Sequence, residues 1–321
     1  MKFKFFTFLF SFLFVAGLLH ARQTYIQTYG MPGAEPIVFL HGGPGGSSMD
    51  FEMTTGEKLA EKGFFVIVYD RRGEGRSNVD SVVYNFKETG KELKEILISL
   101  GINKANLLGH SFGGIVAAFF AAEYPDMVKN LVLTGTPVSM QESFKAILEN
   151  AYKVSNPEED TALIERIAEL KNTDSSSIFF SSGCFMLAME KNLYGPAKRD
   201  STADLLMQNM ILSEKFQQYG KFLQESNYKT ILQPSQGFFN NEKYTLLEIE
   251  NLLKNLNNKN IGVYGIYGEE DGLFTRELFL KMKENIFGEK FILMRQAGHG
   301  AYIDKQEEFI SHLINILKNE F

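Results

Sequence analysis

Residues 107–114 read LLGHSFGG and put Ser111 at the centre of a Gly109-x-Ser111-x-Gly113 spacing. An apolar run, ANLLGH (105–110), leads into it, and a run with helical character, IVAAFFAAEY (115–124), leads out. A strand, this pentapeptide and then a helix make the pattern of a nucleophile elbow. Its turn is so tight that the serine takes a strained backbone and its neighbours must be small. Such a turn lifts the Ser111 hydroxyl clear of a sheet. It also sets the hydroxyl at a helix N-terminus, where unpaired N–H groups and the helix dipole favour developing negative charge. A serine hydroxyl is a weak nucleophile without a base. The chain has 5 histidines. His20 lies in an N-terminal apolar segment, His41 and His110 stand at strand ends beside glycine loops, and His312 falls in the final helix. His299, in QAGHGAY after the last expected strand, is the expected base, because loops at the carboxyl ends of parallel strands are where such sheets carry catalytic groups. The base in turn needs an acid to fix its tautomer and to stabilise the imidazolium. After GVYGIYG come Glu269, Glu270 and Asp271. Asp271 is the expected acid, since Gly268-x-x-Asp271 leaves room for a turn that aims the carboxylate inward, with Glu269 and Glu270 facing solvent.

These side chains are far apart in sequence, so the elements between them must bring them together. Buried strands are expected at IVFL (37–40), FFVIVYD (64–70), ANLLGH (105–110) and LVLTGTP (131–137), each an apolar run. Helices are expected between them, at 51–62, at 85–100 with Leu93, Ile96, Leu97 and Leu100 at helical spacing, and up to about Tyr124 before Pro125. RQTYIQTYG (22–30) alternates like a short strand. Strands that are apolar throughout and alternate with helices indicate a mostly parallel central sheet covered on both faces. The alternation breaks between about Val138 and Tyr244, where the pattern is helical, and resumes with NIGVYGIYG (260–268), a helix near 274–287, KFILMRQAG (290–298) and a last helix from about Asp304. The expected organisation is therefore a core in two parts, 22–137 and 246–321, interrupted by a helical cap insertion over 138–245. Within that insertion SSSIFFSSGCFMLAM is apolar enough either to line an acyl pocket or to pack the cap, and packing is the commoner use of such a run.

Composition narrows the remaining possibilities. The 321-residue chain is 44% hydrophobic and 22% charged, as in ordinary globular proteins. Its net charge of -6 gives no reason to expect nucleic acid, which would favour a basic patch, so no nucleic-acid partner is expected, and composition carries no signal for an oligomeric state. A single cysteine, Cys184, rules out an internal disulfide and a cysteine-based metal cluster. Residues 1–21 stand apart: Lys2 and Lys4, then an apolar run from Phe5 to Leu19, then Ala21 before a cleavage point. This is the layout of a secretory signal peptide, and its apolar run falls short of the roughly 20 residues that span a bilayer. The expectation is an exported bacterial enzyme, periplasmic or secreted, without stable membrane insertion once residues 1–21 are removed.

HGGPGG (41–46), DRRGEGRS (70–77), GHSFGG (109–114), GEEDG (268–272) and AGHG (297–300) stand in the order found in the α/β-hydrolase superfamily, and the chain resembles that superfamily over nearly all of its length past the leader. HGGPG with D-x-R-G-x-G-x-S downstream is most similar to the proline iminopeptidase branch, which removes N-terminal residues, proline especially, from peptides. The resemblance implies an α/β-hydrolase fold and a Ser111–His299–Asp271 triad. It also implies an oxyanion hole made by the N–H groups of Gly43 and Phe112, and neither a metal nor an organic cofactor. Asp70, Arg71 and Arg76 are expected to hold their loop together. The chain departs from the branch in two respects. Proline iminopeptidases usually have tryptophan after the serine, whereas Phe112 stands here. They also grip the substrate's amino terminus with cap glutamates in aromatic-rich motifs that have no match here; Glu190, in FMLAMEKNLYG, is the nearest candidate for substrate binding.

The expected substrate is a small peptide or a small ester. A carboxylesterase or a carbon–carbon bond hydrolase would use the same serine machinery. Epoxide hydrolases and dehalogenases share the fold but have aspartate at the elbow, where Ser111 stands. A dinucleotide site after IVFL would need a third glycine where Ser48 is, and Pro44 removes a backbone donor that phosphate would use. A purely ligand-binding role would leave the filled triad positions without a purpose.

Overall fold

The computed structural model describes residues 24–318 apart from residues 78, 80, 157, 258 and 260. The expected leader, residues 1–21, lies outside the described residues.

Strands β1 (Ile26–Tyr29), β2 (Glu35–Leu40), β3 (Phe64–Tyr69), β4 (Ala105–His110), β5 (Val128–Thr134), β6 (Gly262–Gly268) and β7 (Phe291–Met294) form one sheet in the order β1-β3-β2-β4-β5-β6-β7. β1 pairs antiparallel with β3, and every other pair is parallel. The chain steps outward from β2 to β3 and then returns to lay β4 on the other side of β2. The strand order therefore reverses between β2 and β4, and a crevice opens at their carboxyl ends, the usual place for a ligand in such a sheet. Leu40 stands opposite Gly109 there, so the glycine loop after β2 and the elbow after β4 leave the sheet side by side.

The parallel strands read as unbroken apolar runs because both faces are covered. In β2, Ile37 and Phe39 point into one core and Val38 and Leu40 into the other, the two-residue period of a strand. The helices α1 (Met49–Phe51), α2 (Glu57–Glu61), α13 (Ala301–Asp304) and α14 (Gln306–Leu317) contribute to the first face, with α1 and α2 joined through a π-helical turn at Glu52–Gly56. On the other face lie α3 (Phe86–Ser99), α4 (Phe112–Glu123), α11 (Glu250–Asn257) and α12 (Arg276–Met282). Asn85 caps α3 by accepting from the Glu88 N–H, and Leu93, Ile96 and Leu97 form its buried stripe. The strands differ from expectation at their ends. β5 begins at Val128 and stops at Thr134, because Gly135 turns at φ 56, and β7 stops at Met294, ahead of Gln296 at φ 53.

Between β5 and α11 the described chain is helical: α5 (Met140–Lys153), α6 (Thr161–Lys171), α7 (Ile178–Glu190), α8 (Ser201–Leu212), α9 (Glu214–Glu225) and α10 (Lys229–Glu242). Aromatic contacts tie this segment to the core. Phe238 of α10 and the following Tyr244 meet the Phe112 ring edge-on, at 5.0 Å and 5.9 Å between centroids. The apolar run of α7 divides its work: Phe180, Cys184 and Leu187 are buried, Phe185 and Ser182 face the cavity described below, and Phe179, Met186 and Met189 are exposed.

Candidate active site

Ser111 is the residue between β4 and α4, and it holds φ 53, ψ -127, a positive φ that a residue with a side chain rarely adopts. The surroundings force it. A Cβ on Gly113 would run into the Leu40 carbonyl, and one on Gly109 into Gly114, so no side chain fits on either flank. The Ser111 N–H donates to the Thr134 carbonyl at 2.9 Å, which ties the elbow to the end of β5. Phe112 opens α4, so its N–H has no carbonyl four residues earlier within the helix.

His299 and Asp271 reach the same end of the sheet from the loops after β7 and β6. Asp271 Oδ2 lies 2.7 Å from His299 Nδ1, and both side chains are buried. A carboxylate facing Nδ1 fixes the proton there and leaves Nε2 as the acceptor. The second oxygen of Asp271 accepts the Leu273 N–H at 3.1 Å, which sets the orientation of the carboxylate. The segment just past α7 braces both loops: the Leu193 carbonyl accepts from the Gly272 N–H and the Tyr194 carbonyl from the His299 N–H, each at 2.8 Å. Glu269 is exposed, and Glu270 accepts the Ala197 N–H at 2.7 Å, so neither competes for the imidazole.

The loop HGGPGG passes directly over the serine, since a Cβ on Gly42 would stand 3.1 Å from Ser111 Cβ. Gly43 has φ 126, and a Cβ there would crowd the N atoms of Gly45 and Gly46, so only glycine fits. His41 is buried beside this loop, and burial together with the neighbouring Arg71 charge lowers its pKa to about 4. His110 is neutral as well: burial and the nearby His299 hold its pKa well below the ordinary imidazole value, and its Nε2–H donates to the His299 carbonyl at 3.1 Å. The loop after β3 is tied together by charge. Burial opposes ionisation of Asp70, but hydrogen bonds from Arg76 outweigh it and its pKa is lowered. Asp70 Oδ1 in turn accepts from Ser48 at the far end of the glycine loop.

Ser111 and His299 open onto a cavity of about 460 Å³, the size of a small-ligand site. Gly42, Gly43 and His110 line its core side, and Phe185, Tyr194, Phe216, Tyr219 and Tyr244 line it from the helical segment. Glu190, expected as a substrate-binding residue, is not there. Its side chain is half exposed at the end of α7 and pairs with Arg166 of α6 at 2.6 Å, so it is surface charge. Among the described residues, the carboxylate on the cavity wall is Asp50, a position with no signal in the sequence. It accepts from the Tyr302 hydroxyl at 2.5 Å, and burial raises its pKa. His312 lies on α14, 3.6 Å from Glu308.

Comparison with known proteins agrees with this architecture. The model of a family described as the alpha/beta hydrolase fold matches residues 35–306. A proline iminopeptidase of Clostridioides difficile (strain 630) is 39% identical over 119 residues, a stretch that spans 36% of this chain and 40% of that relative. One from Lactobacillus crispatus (strain ST1) is 27% identical over 301 residues, 91% of this chain and 93% of the relative. Among solved structures, the proline iminopeptidase of Mycobacterium smegmatis superposes with a TM-score of 0.65 at 20% identity, covering 92% of this chain and 94% of that one. The chain belongs to the α/β-hydrolase fold family and within it is most similar to the proline iminopeptidase branch.

Proposed function

We propose that this hydrolase works through an acyl-enzyme formed on Ser111. Ser111 Oγ attacks an acyl carbon as His299 Nε2 takes its proton, and the Asp271 carboxylate steadies the resulting imidazolium through Nδ1–H. The N–H groups of Gly43 and Phe112 receive the oxyanion. The intermediate collapses as His299 returns the proton to the departing amine or alcohol. A water then repeats the sequence on the acyl-enzyme, releasing the acid and restoring Ser111. The observation that carries this reading is the 2.7 Å contact between Asp271 and His299, in a cavity that Ser111 and His299 both line.

For the substrate, likeness to proline iminopeptidases supports an aminopeptidase that releases N-terminal residues from small peptides. The cavity also supports a second reading. Its helical-segment wall carries Phe185, Phe216 and Tyr244, while Glu190 faces Arg166 instead, and that lining suits an uncharged acyl group of a small ester. Prolyl and other aminoacyl arylamides, assayed beside their N-blocked forms and beside short and long p-nitrophenyl esters, separate the two. A preference for free-amine aminoacyl compounds supports the aminopeptidase. Turnover of blocked compounds and esters alone overturns it in favour of the esterase. Export is inferred from residues 1–21 only. N-terminal sequencing of the chain from expressing bacteria should begin near Arg22, and an intact Met1 would count against cleavage.

A further inference from the structure

Arg71 and Glu74 form an ion pair that the mechanism above does not use. Both are buried, each 1% exposed. Arg71 Nε lies 2.8 Å from Glu74 Oε1 and Nη2 lies 2.9 Å from Oε2, a two-point contact. Burial opposes the charge of Arg71, but Glu74 outweighs it and raises its pKa. As a source of stability such a pair is weak, because desolvating two charges costs about as much as their attraction returns.

Among the described residues, the pair's other side-chain hydrogen bonds fall on the glycine loop. Arg71 Nη1 donates to the His41 carbonyl at 2.6 Å and Nη2 to the Gly42 carbonyl at 2.8 Å. Glu74 Oε2 accepts the Gly45 N–H at 2.6 Å. The pair thus holds the chain on both sides of Gly43. The Gly42 oxygen and the Gly43 N–H belong to one peptide unit, and that bond is trans. In a trans peptide the two groups point in opposite directions. Holding the Gly42 oxygen toward Arg71 therefore aims the Gly43 N–H away from it. His41 adds a second donor to the same oxygen through Nδ1–H at 2.8 Å, while its Nε2 accepts the Arg71 N–H at 3.1 Å. The guanidinium carbon also lies 5.7 Å from the centroid of the Phe112 ring, against the residue that carries the other proposed oxyanion donor.

We propose that the buried Arg71–Glu74 pair is a positioning device for the oxyanion hole. Arg71 holds the Gly42–Gly43 peptide by its oxygen, fixes the direction of the Gly43 N–H and polarises that N–H into a stronger donor. A charged donor on a carbonyl draws electron density toward the oxygen, and the N–H at the other end of the amide becomes more acidic. The proposal rests on the reading of Ser111 as nucleophile.

The test uses a neutral pair, Arg71→Met with Glu74→Gln, in which the glutamine oxygen still accepts the Gly45 N–H. It also uses Arg71→Lys, which keeps the charge opposite Glu74 but cannot reach both carbonyls. The readouts are kcat and KM on a p-nitrophenyl ester, inhibition by phenylboronic acid, and thermal unfolding. The boronate forms a tetrahedral adduct on the serine with an oxygen in the hole. Loss of one oxyanion donor costs about 100- to 1,000-fold in kcat, so loss of its alignment should cost about 10- to 100-fold. Boronate affinity should weaken in parallel, with KM changed by no more than about threefold, since a group acting only on the transition state leaves ground-state binding alone. A folded neutral-pair variant with wild-type kcat and wild-type boronate affinity overturns the proposal. If that variant does not fold, Arg71→Lys decides: a tenfold or greater loss of kcat at unchanged KM and melting temperature supports it, and wild-type kcat overturns it. Wild-type protein that boronate does not inhibit would overturn the reading of Ser111 itself, a result distinct from inhibition that is equal in wild type and variants.

Discussion

Replacing Asp271 with asparagine is the most informative change to the proposed triad, because the structure dictates which way the new amide must face. Asp271 Oδ1 accepts the Leu273 N–H, while Oδ2 faces His299 Nδ1 at 2.7 Å. In Asp271→Asn the amide oxygen keeps the Leu273 N–H, which turns the NH2 group toward the imidazole. His299 must then accept at Nδ1 and carry its proton on Nε2, where it cannot take one from Ser111. The magnitude has two parts. A hydrogen bond to a charged group contributes about 1.5–3 kcal/mol. The attraction between carboxylate and imidazolium, at about 4 Å and an effective dielectric constant near 20, adds up to about 4 kcal/mol. A combined loss of about 4–6 kcal/mol, within the sum of the two, corresponds to a kcat lowered by about 1,000- to 25,000-fold at tenfold per 1.36 kcal/mol. Initial rates on a p-nitrophenyl ester, with thermal unfolding as the control for fold, measure it. A folded Asp271→Asn protein that loses less than tenfold in kcat would refute the tautomer argument.

Three further outcomes are expected. Gly135 ends β5 at φ 56, and a Cβ there would stand 2.9 Å from His299 Nδ1, so Gly135→Ala should displace the imidazole and lower kcat by at least tenfold; unchanged kcat in a folded variant would contradict the packing described. Burial pushes the Glu92 carboxyl up to about 7 from an ordinary 4.5, so the unfolded chain gives up this proton first and stability falls as pH rises through that window. Glu92→Gln should therefore raise the melting temperature at pH 8 by the equivalent of up to about 3 kcal/mol and change it little at pH 4; a gain equal at both pH values would count against this. Finally, Glu190→Gln should leave KM for aminoacyl arylamides unchanged, since an exposed ion pair such as the one with Arg166 contributes only about 0–1 kcal/mol; a tenfold rise in KM would place Glu190 in the substrate path.

The core was legible in the sequence for a physical reason. Strands covered on both faces leave unbroken apolar runs, as in FFVIVY of β3, whose six residues are all buried. The elbow was legible because backbone crowding at Gly109 and Gly113 admits only glycine. What could not be read was contact between elements that carry no local signature. Glu74 reaches Gly45 across 29 positions, and nothing in GEG distinguishes that glutamate from a solvated one. Asp50 sits in an ordinary loop-to-helix stretch, and only the packing of Tyr302 against it reveals a carboxylate on the cavity wall. The pairing of Glu190 with Arg166 is hidden for the same reason: its helix is apolar almost all round, so the pattern does not show which side faces the cavity and which faces α6. β5 and β7 end earlier than their apolar runs suggest because Gly135 and Gln296 turn the chain at positive φ, which an apolar count does not detect.

The proposed mechanism requires that Ser111 become covalently modified during turnover. Incubation of the folded protein with a fluorophosphonate, followed by peptide mass spectrometry, tests it directly. The expected result is a stoichiometric adduct on Ser111, loss of activity in step with labelling, and no adduct in Ser111→Ala. An active protein that takes up no label, or one whose label falls elsewhere while Ser111→Ala keeps its activity, would contradict it.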